Sequence, residues 1–328
     1  MRQSLLFVLD GRQDLAEDII DSVNLMSNDA EISLGYLNKQ KFSDGELCVD
    51  FTDSVRGKNV FLLSSPITSD AIMNLLLAID AAKRAGAKEI IPILPYFPYA
   101  RQDKKDQSRG PIGAKVMAEM IEQRGSTSVI TYDLHADQIQ GFFNIPVTHI
   151  EGKHVFDSYI NDIVQGFEGS EVVLCGPDAG SGKRVKRMRD QVNKRYGVNL
   201  NIVMIDKTRK QANVIDEMII IGDVKDKHVI ILDDMVDTAG TLCKAAEVLI
   251  ENGAKTVNAG ISHGILSGPA HERISNSLLN ELVISDSLKS KDNDKILIAS
   301  VTQQIGLAIS ASINNLSYEV LKSKLVKI

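Results

Sequence analysis

Residues 229–242 read VIILDDMVDTAGTL, an apolar strand that runs into carboxylates at Asp233, Asp234 and Asp237 and then into small residues that open a helix. A continuous apolar run of this kind marks a parallel strand covered on both faces. Small side chains let an anion approach the backbone N–H groups of residues 238–241. A helix terminus favours such an anion by roughly 0.3–1 kcal/mol, and charge-assisted hydrogen bonds add about 1.5–3 kcal/mol each. Thr238, Ala239, Gly240 and Thr241 therefore read as a phosphate cradle. The acids cannot serve the same phosphate, but Asp233 and Asp234 suit vicinal sugar hydroxyls or a divalent cation. A ligand with a phosphate at one end and a diol at the other satisfies both halves. The plainer alternative is a capped helix with Asp237 or Thr238 as cap; three acids in this short stretch exceed what a cap requires.

Working outward, residues 228–261 (HVIILDDMVDTAGTLCKAAEVLIENGAKTVNAGI) align with residues 59–94 (NVFLLSSPITSDAIMNLLLAIDAAKRAGAKEIIPIL). Both copies predict strand, loop, helix, a G-A-K turn and strand, so the chain carries one α/β design twice. Only the second copy has the acids and the glycine. The same alternation of apolar runs with amphipathic stretches continues on either side, from LLFVL and DLAEDIIDSVNLM near the start to NELVISD, the sign of βαβ units on parallel sheets. The boundary falls near Ile150 to Lys153. It predicts a first domain over 1–151, a second over 152–300, and a segment over 301–328 that packs back on the first. SLKSKDNDK near residue 290 reads as a surface loop.

At 328 residues with 44% hydrophobic content, each half has enough apolar material for its own core. Lys plus Arg is 37 and Asp plus Glu is 43, a formal charge of −6 without a basic tail, which argues against nucleic acid as a partner. The N-terminal apolar run closes at Asp10 with no small-residue cleavage site behind it, and no run approaches the roughly 18 residues needed to span a bilayer. Cys48, Cys175 and Cys243 are odd in number and set in apolar contexts, reading as buried free thiols in a reducing compartment, the cytoplasm.

Other stretches carry chemistry with less specificity. In FSDGE, Asp44 and Glu46 flank a glycine in a turn and offer acceptors to an amine or a ribose. PYFPYARQDKKD sets Arg101, Lys104 and Lys105 beside Tyr96, Phe97 and Tyr99, a grouping that suits a nucleotide's phosphates and base as well as a solvated basic loop. His135 in YDLHADQ follows a strand at the sheet edge where open α/β folds bind ligands. IDKTRKQAN exits a strand into a polar segment holding Lys207, Arg209 and Lys210, which a solvated loop would also explain.

VIILDDMVDTAGTL resembles the phosphoribosyl-pyrophosphate binding motif of type I phosphoribosyltransferases. KFSDGELCV, PYFPYARQDKKDQSRGPIGAKV, TYDLHADQIQGFFNIPV, GPDAG and MIDKTRKQANV, in that order, narrow the resemblance to the ribose-phosphate pyrophosphokinase family over residues 42–286. The resemblance implies two tandem type I phosphoribosyltransferase-like α/β domains, each a mainly parallel sheet flanked by helices. It implies transfer of the β,γ-diphosphoryl group of ATP to the anomeric hydroxyl of ribose 5-phosphate, with Mg2+ as cofactor and a homo-oligomeric assembly. Phe42, Asp44 and Glu46 would contribute to the adenine pocket of their own or a neighbouring subunit, and Arg101, Gln102 and Lys104 would bind ATP. His135 and Asp178 would belong to the metal site, and Asp233, Asp234, Asp237 and Thr238 to Thr241 would bind ribose 5-phosphate. Lys207 and Arg209 would close a catalytic flap, while Arg56 in SVRGK matches a position of an allosteric site.

The chain also departs from the family. Asn144 and Thr148 stand where many members carry Asp, the flap reads KTRKQ where KRRPR is frequent, and INNLSYEVL lacks the serine-rich phosphate loop. A phosphoribosyltransferase proper and a non-catalytic regulatory homologue are the alternatives. The first has no need of ARQDKKD or a second domain, and the second would be expected to have lost Lys207, Arg209, His135 and Asp178.

Overall fold

The computed structural model describes residues 4–26, 31–167, 171–208 and 217–325. They fall into two compact units, Met1–Glu151 with Val301–Ile328, and Gly152–Ser300.

The first unit opens with β1 (Ser4–Val8), α1 (Gln13–Met26), β2 (Ile32–Leu34), β3 (Leu37–Lys41), β4 (Leu47–Phe51), β5 (Asn59–Leu63), α2 (Ser69–Arg84), β6 (Glu89–Leu94), α3 (Gly113–Arg124), β7 (Val129–Tyr132) and β8 (Val147–Ile150). Six strands form a parallel sheet in the order β2-β1-β5-β6-β7-β8, and β3 with β4 forms a separate antiparallel hairpin. Every residue of β1 and β5 is buried, which explains why those runs lack polar alternation. Phe7, Leu62, Ile79 and Ile121 lie in one core beneath α2 and α3. Of the three aromatics around Pro98, Tyr96 and Phe97 are buried, Phe97 edge-on to Phe143, and only Tyr99 faces solvent. Most of the aromatic surface expected beside the cations therefore serves the core.

The second unit comprises α4 (Lys153–Gly166), β9 (Val172–Gly176), α5 (Gly182–Tyr196), β10 (Asn201–Thr208), β11 (Glu217–Ile221), β12 (His228–Val236), α6 (Gly240–Glu251), β13 (Thr256–Gly264), α7 (Ala270–Ser275), β14 (Glu281–Ser285) and β15 (Ile296–Ala299). Its seven strands run in the order β11-β10-β9-β12-β13-β14-β15, parallel except for β11 at one edge. The chain then returns to the first unit as α8 (Thr302–Ile313) and α9 (Tyr318–Leu325). There α8 packs along α1 so closely that a Cβ on Gly306 would meet Ser22 Oγ at 2.7 Å.

Apart from the extra edge strand, the two sheets share one order, with β2-β1-β5-β6-β7-β8 matching β10-β9-β12-β13-β14-β15. The sequence echo is thus an architectural repeat. In each sheet the chain leaves the central strand pair in opposite directions, at β1/β5 and at β9/β12, and a crevice opens at the carboxyl ends of such a pair. The copies differ there. β5 stops at Leu63, whereas β12 continues through Asp233 and Asp234 to Val236. In the first unit Asp10, just beyond β1, accepts a hydrogen bond from the Ser65 N–H just beyond β5, which ties the two strand ends together. Burial raises the pKa of that carboxyl.

Cys175 and Cys243 are buried, whereas Cys48 on β4 is only half-buried; all three are free. Among the described residues no helix is long and apolar enough to cross a membrane.

Candidate active site

In the second unit β9 ends at Gly176 and the chain turns at Asp178, whose Oδ1 accepts from the Ser181 N–H at 3.0 Å. This cap on the short 3-10 turn Ala179–Ser181 holds the Asp178 carboxylate at the strand's carboxyl end. On neighbouring β12, Asp233 Oδ1 accepts from the Asp234 N–H at 2.9 Å. Asp234 is 6% exposed. Burial, then the negative charges of Asp234 and Asp178, push the Asp233 carboxyl up to about 8. Three acids that no sequence window joins therefore converge on one switch point. Crowding of this kind is relieved by a cation or by hydroxyl donors.

Beyond the acids, the loop turns through Ala239, which takes a left-handed conformation at φ 58°, and α6 starts at Gly240. The N-cap position falls to Ala239, not to Asp237 or Thr238 as the plainer reading would have it, and alanine has no side chain with which to cap. Asp237 instead accepts from the Ser267 hydroxyl, and Ser267 N–H donates to the Asp237 carbonyl at 3.1 Å. The Ile265 and Leu266 N–H groups both donate to the Val236 carbonyl, at 2.9 and 3.2 Å. Arg273 Nη1 donates to the Thr238 carbonyl at 2.9 Å. The β13–α7 connection thus braces the cradle from outside. Nothing in SGPAHERIS marks Ser267 and Arg273 for this role, because the stretch has the pattern of an ordinary solvated helix start.

In the first unit, Phe42, Asp44 and Glu46 lie at the exposed tip of the β3–β4 hairpin. Phe42 N–H donates to the Glu46 carbonyl at 2.8 Å, Glu46 N–H donates to Asp44 Oδ1 at 3.0 Å, and Gly45 takes φ 97°. Arg101 and Lys104 are exposed in the loop before α3, while Gln102 packs against the helix start: a Cβ on Gly113 would meet Gln102 Oε1 at 2.5 Å. Asp103 of that loop accepts from Gln138 Nε2 at 2.7 Å, joining it to the 3-10 segment Asp137–Phe142 that follows His135. The Arg101–Lys104 loop and the exposed His135 therefore flank one sheet edge, linked by Asp103 and Gln138, which lie 35 positions apart and carry no sequence signal for the pairing. Asp133 is 5% exposed and bends the chain at φ 40° beyond β7. Asn144, a departure from the family pattern, donates to Glu122 from its backbone at 2.8 Å and its amide at 3.1 Å. Arg56 lies over Gly86, 3.3 Å from the Cβ position.

Lys207 is placed in β10 opposite Met218 of β11, with its side chain outside the described residues, as is Arg209 entirely. Among the described residues no three His, Cys, Asp or Glu side chains form a ready-made ion cage.

The second unit, with three carboxylates and a small-residue helix mouth at the switch point, defines a phosphoribosyltransferase-type domain. The family model described as the phosphoribosyl transferase domain matches residues 148–286, and the N-terminal domain of ribose phosphate pyrophosphokinase matches residues 4–125. A ribose-phosphate pyrophosphokinase of Porphyromonas gingivalis is 44% identical over 299 residues, covering 90% of both chains. Ribose-phosphate pyrophosphokinase 2 of Enterococcus faecalis is 43% identical over 310 residues, covering 93% of this chain and 91% of its own. The crystal structure of phosphoribosylpyrophosphate synthetase from Mycobacterium smegmatis superposes with a TM-score of 0.86 at 32% identity, covering 96% of this chain and all of that one. The chain belongs to the ribose-phosphate pyrophosphokinase family.

Proposed function

We propose that the chain transfers the β,γ-diphosphoryl group of ATP to the anomeric hydroxyl of ribose 5-phosphate, giving phosphoribosyl pyrophosphate and AMP. The observation that carries this reading is the convergence of Asp178, Asp233 and Asp234 beside a small-residue helix mouth whose N-cap is Ala239, at the β9/β12 switch point. Backbone and hydroxyl donors of Thr238 to Thr241 hold the sugar's phosphate, with Asp237 fixing the loop. Asp233 and Asp234 accept from the ribose hydroxyls and fix the ring against the donor.

ATP is assigned to the first unit and ribose 5-phosphate to the second. Arg101, Gln102 and Lys104 hold the ATP phosphates, and Phe42, Asp44 and Glu46 take the adenine. Asp178 of the second unit and His135 of the first are the side chains that, by the family resemblance, would hold Mg2+. The crowded carboxylates of the second unit fit a hard cation that takes one or two carboxylates plus substrate phosphates rather than an all-protein cage. When bound, Mg2+ supplies charge neutralisation at the phosphate oxygens. Lys207 and Arg209 stabilise charge developing around the β-phosphorus. No side-chain nucleophile is required, because phosphoryl transfer needs positioning and charge stabilisation more than covalent chemistry. A homo-oligomer, a cytoplasmic location and an allosteric role for Arg56 complete the proposal.

The test is mass detection of phosphoribosyl pyrophosphate and AMP from ribose 5-phosphate and Mg-ATP. Both products are expected in equal amounts, and folded protein that yields neither would overturn the assignment.

A further inference from the structure

We propose that Arg273 is the positioning residue of the sugar-phosphate loop, setting the direction in which the loop offers its backbone donors. The proposal rests on the assignment of residues 238–241 to the phosphate of ribose 5-phosphate. Arg273 lies on α7, and its Nη1 donates to the Thr238 carbonyl at 2.9 Å. That carbonyl shares a planar trans peptide with the Ala239 N–H, so the two point in opposite directions. Holding the carbonyl on the guanidinium therefore aims the Ala239 N–H away from it.

Two further observations single out this arginine. Ala239 sits at φ 58°, a strained conformation for a residue with a Cβ. A hydrogen bond from a charged donor, stronger than one between neutral groups, is suited to hold it. Secondly, a Cβ on Gly240 would sit 3.3 Å from Nη1, so the glycine at the start of α6 is the residue that lets the guanidinium approach.

The side chain is exposed, and among the described residues the Thr238 carbonyl is its only hydrogen-bond partner, leaving most of its donors unused. Its charge is not committed to a neighbouring acid; it stands at the edge of the cradle that receives an anion. Ser267 and the Ile265 and Leu266 N–H groups hold the strand end and Asp237, whereas Arg273 alone acts on the peptide at the turn.

Steady-state kinetics with Arg273→Met, varying each substrate at saturation of the other, test the assignment. The KM for ribose 5-phosphate is expected to rise at least about tenfold, with kcat and the KM for Mg-ATP within about threefold of the parent, and Arg273→Lys recovers part of the loss. Equal rises in both KM values would mean a general structural role and overturn the proposal. An unchanged ribose 5-phosphate KM in Arg273→Met, alongside a raised one in Thr241→Ala, overturns the Arg273 assignment and keeps that of the loop. No change in either variant overturns the loop assignment and this proposal with it. Should the Met variant melt early, Arg273→Gln, which keeps an amide donor, is read against the same outcomes.

Discussion

At the scale of single residues, the stretch from Asp233 to Thr241 was legible because everything it does is local: a strand delivers acids and small residues to one sheet edge within a few positions. The partners it acquires were not. Asp178 reaches Asp233 only through the pairing of β9 with β12, and Arg273 meets Thr238 across 35 positions of sequence. The crowding of Asp233 has a measurable sign. With a carboxyl raised from 3.8 to about 8, the folded protein holds more protons than the unfolded chain between those values. The stabilising contribution is therefore complete below about 3.8 and lost as pH rises through about 8. In chelator, the melting temperature of the parent should fall from pH 5.5 to 8.5 more steeply than that of Asp233→Asn, and equal slopes would show that Asp233 carries no such proton. Added Mg2+ should flatten the parent's slope by favouring the ionised pair. On the catalytic side, Lys207→Ala should lower kcat by about tenfold to a thousandfold, the loss of a few kcal/mol of transition-state stabilisation, while ribose 5-phosphate binding stays near its parent value. An unchanged kcat would remove Lys207 from the chemistry.

At the scale of elements, the strand–helix alternation was readable because buried parallel strands and amphipathic helices leave different periodicities. Helix starts were less so. The first copy begins α2 with a side-chain cap, Thr68 Oγ1 accepting from the Ala71 N–H at 3.2 Å, while the second begins α6 from a left-handed alanine with none. Aligned sequence does not reveal that exchange, because it follows from β12 running further than β5. Nor did composition reveal how α8 meets α1. Gly306 approaches Ser22 so closely that an added side chain must displace it. Gly306→Val should cost about 1–3 kcal/mol in urea denaturation. Gly306→Ala should be milder, and Ser22→Gly should recover part of its cost by removing the atoms that a new Cβ meets. A Val variant as stable as the parent would mean that the helices separate freely.

At the scale of the whole molecule, the duplicated design was visible in the echo of residues 59–94 by residues 228–261, whereas what each unit places at its central strand ends was not. The first unit ties the ends of β1 and β5 together through Asp10 and the Ser65 N–H, and the second carries a cluster of acids at the matching place. The first unit is also discontinuous. Ile305, Leu307 and Ile309 are buried, so a fragment of residues 1–151 lacks the helix that lies against α1. That fragment should melt well below a version joined to residues 301–328 by a flexible linker, while residues 152–300 alone should unfold cooperatively; calorimetry of the three would decide. The discontinuity also sets an order of birth. A ribosome makes α8 only after the whole of the second unit, so the half assigned to ATP cannot close until that unit has been made. The half assigned to ATP stays open until the last helix clears the exit tunnel. The nucleotide-side domain is thus begun first and completed only after the sugar-side chain has been made.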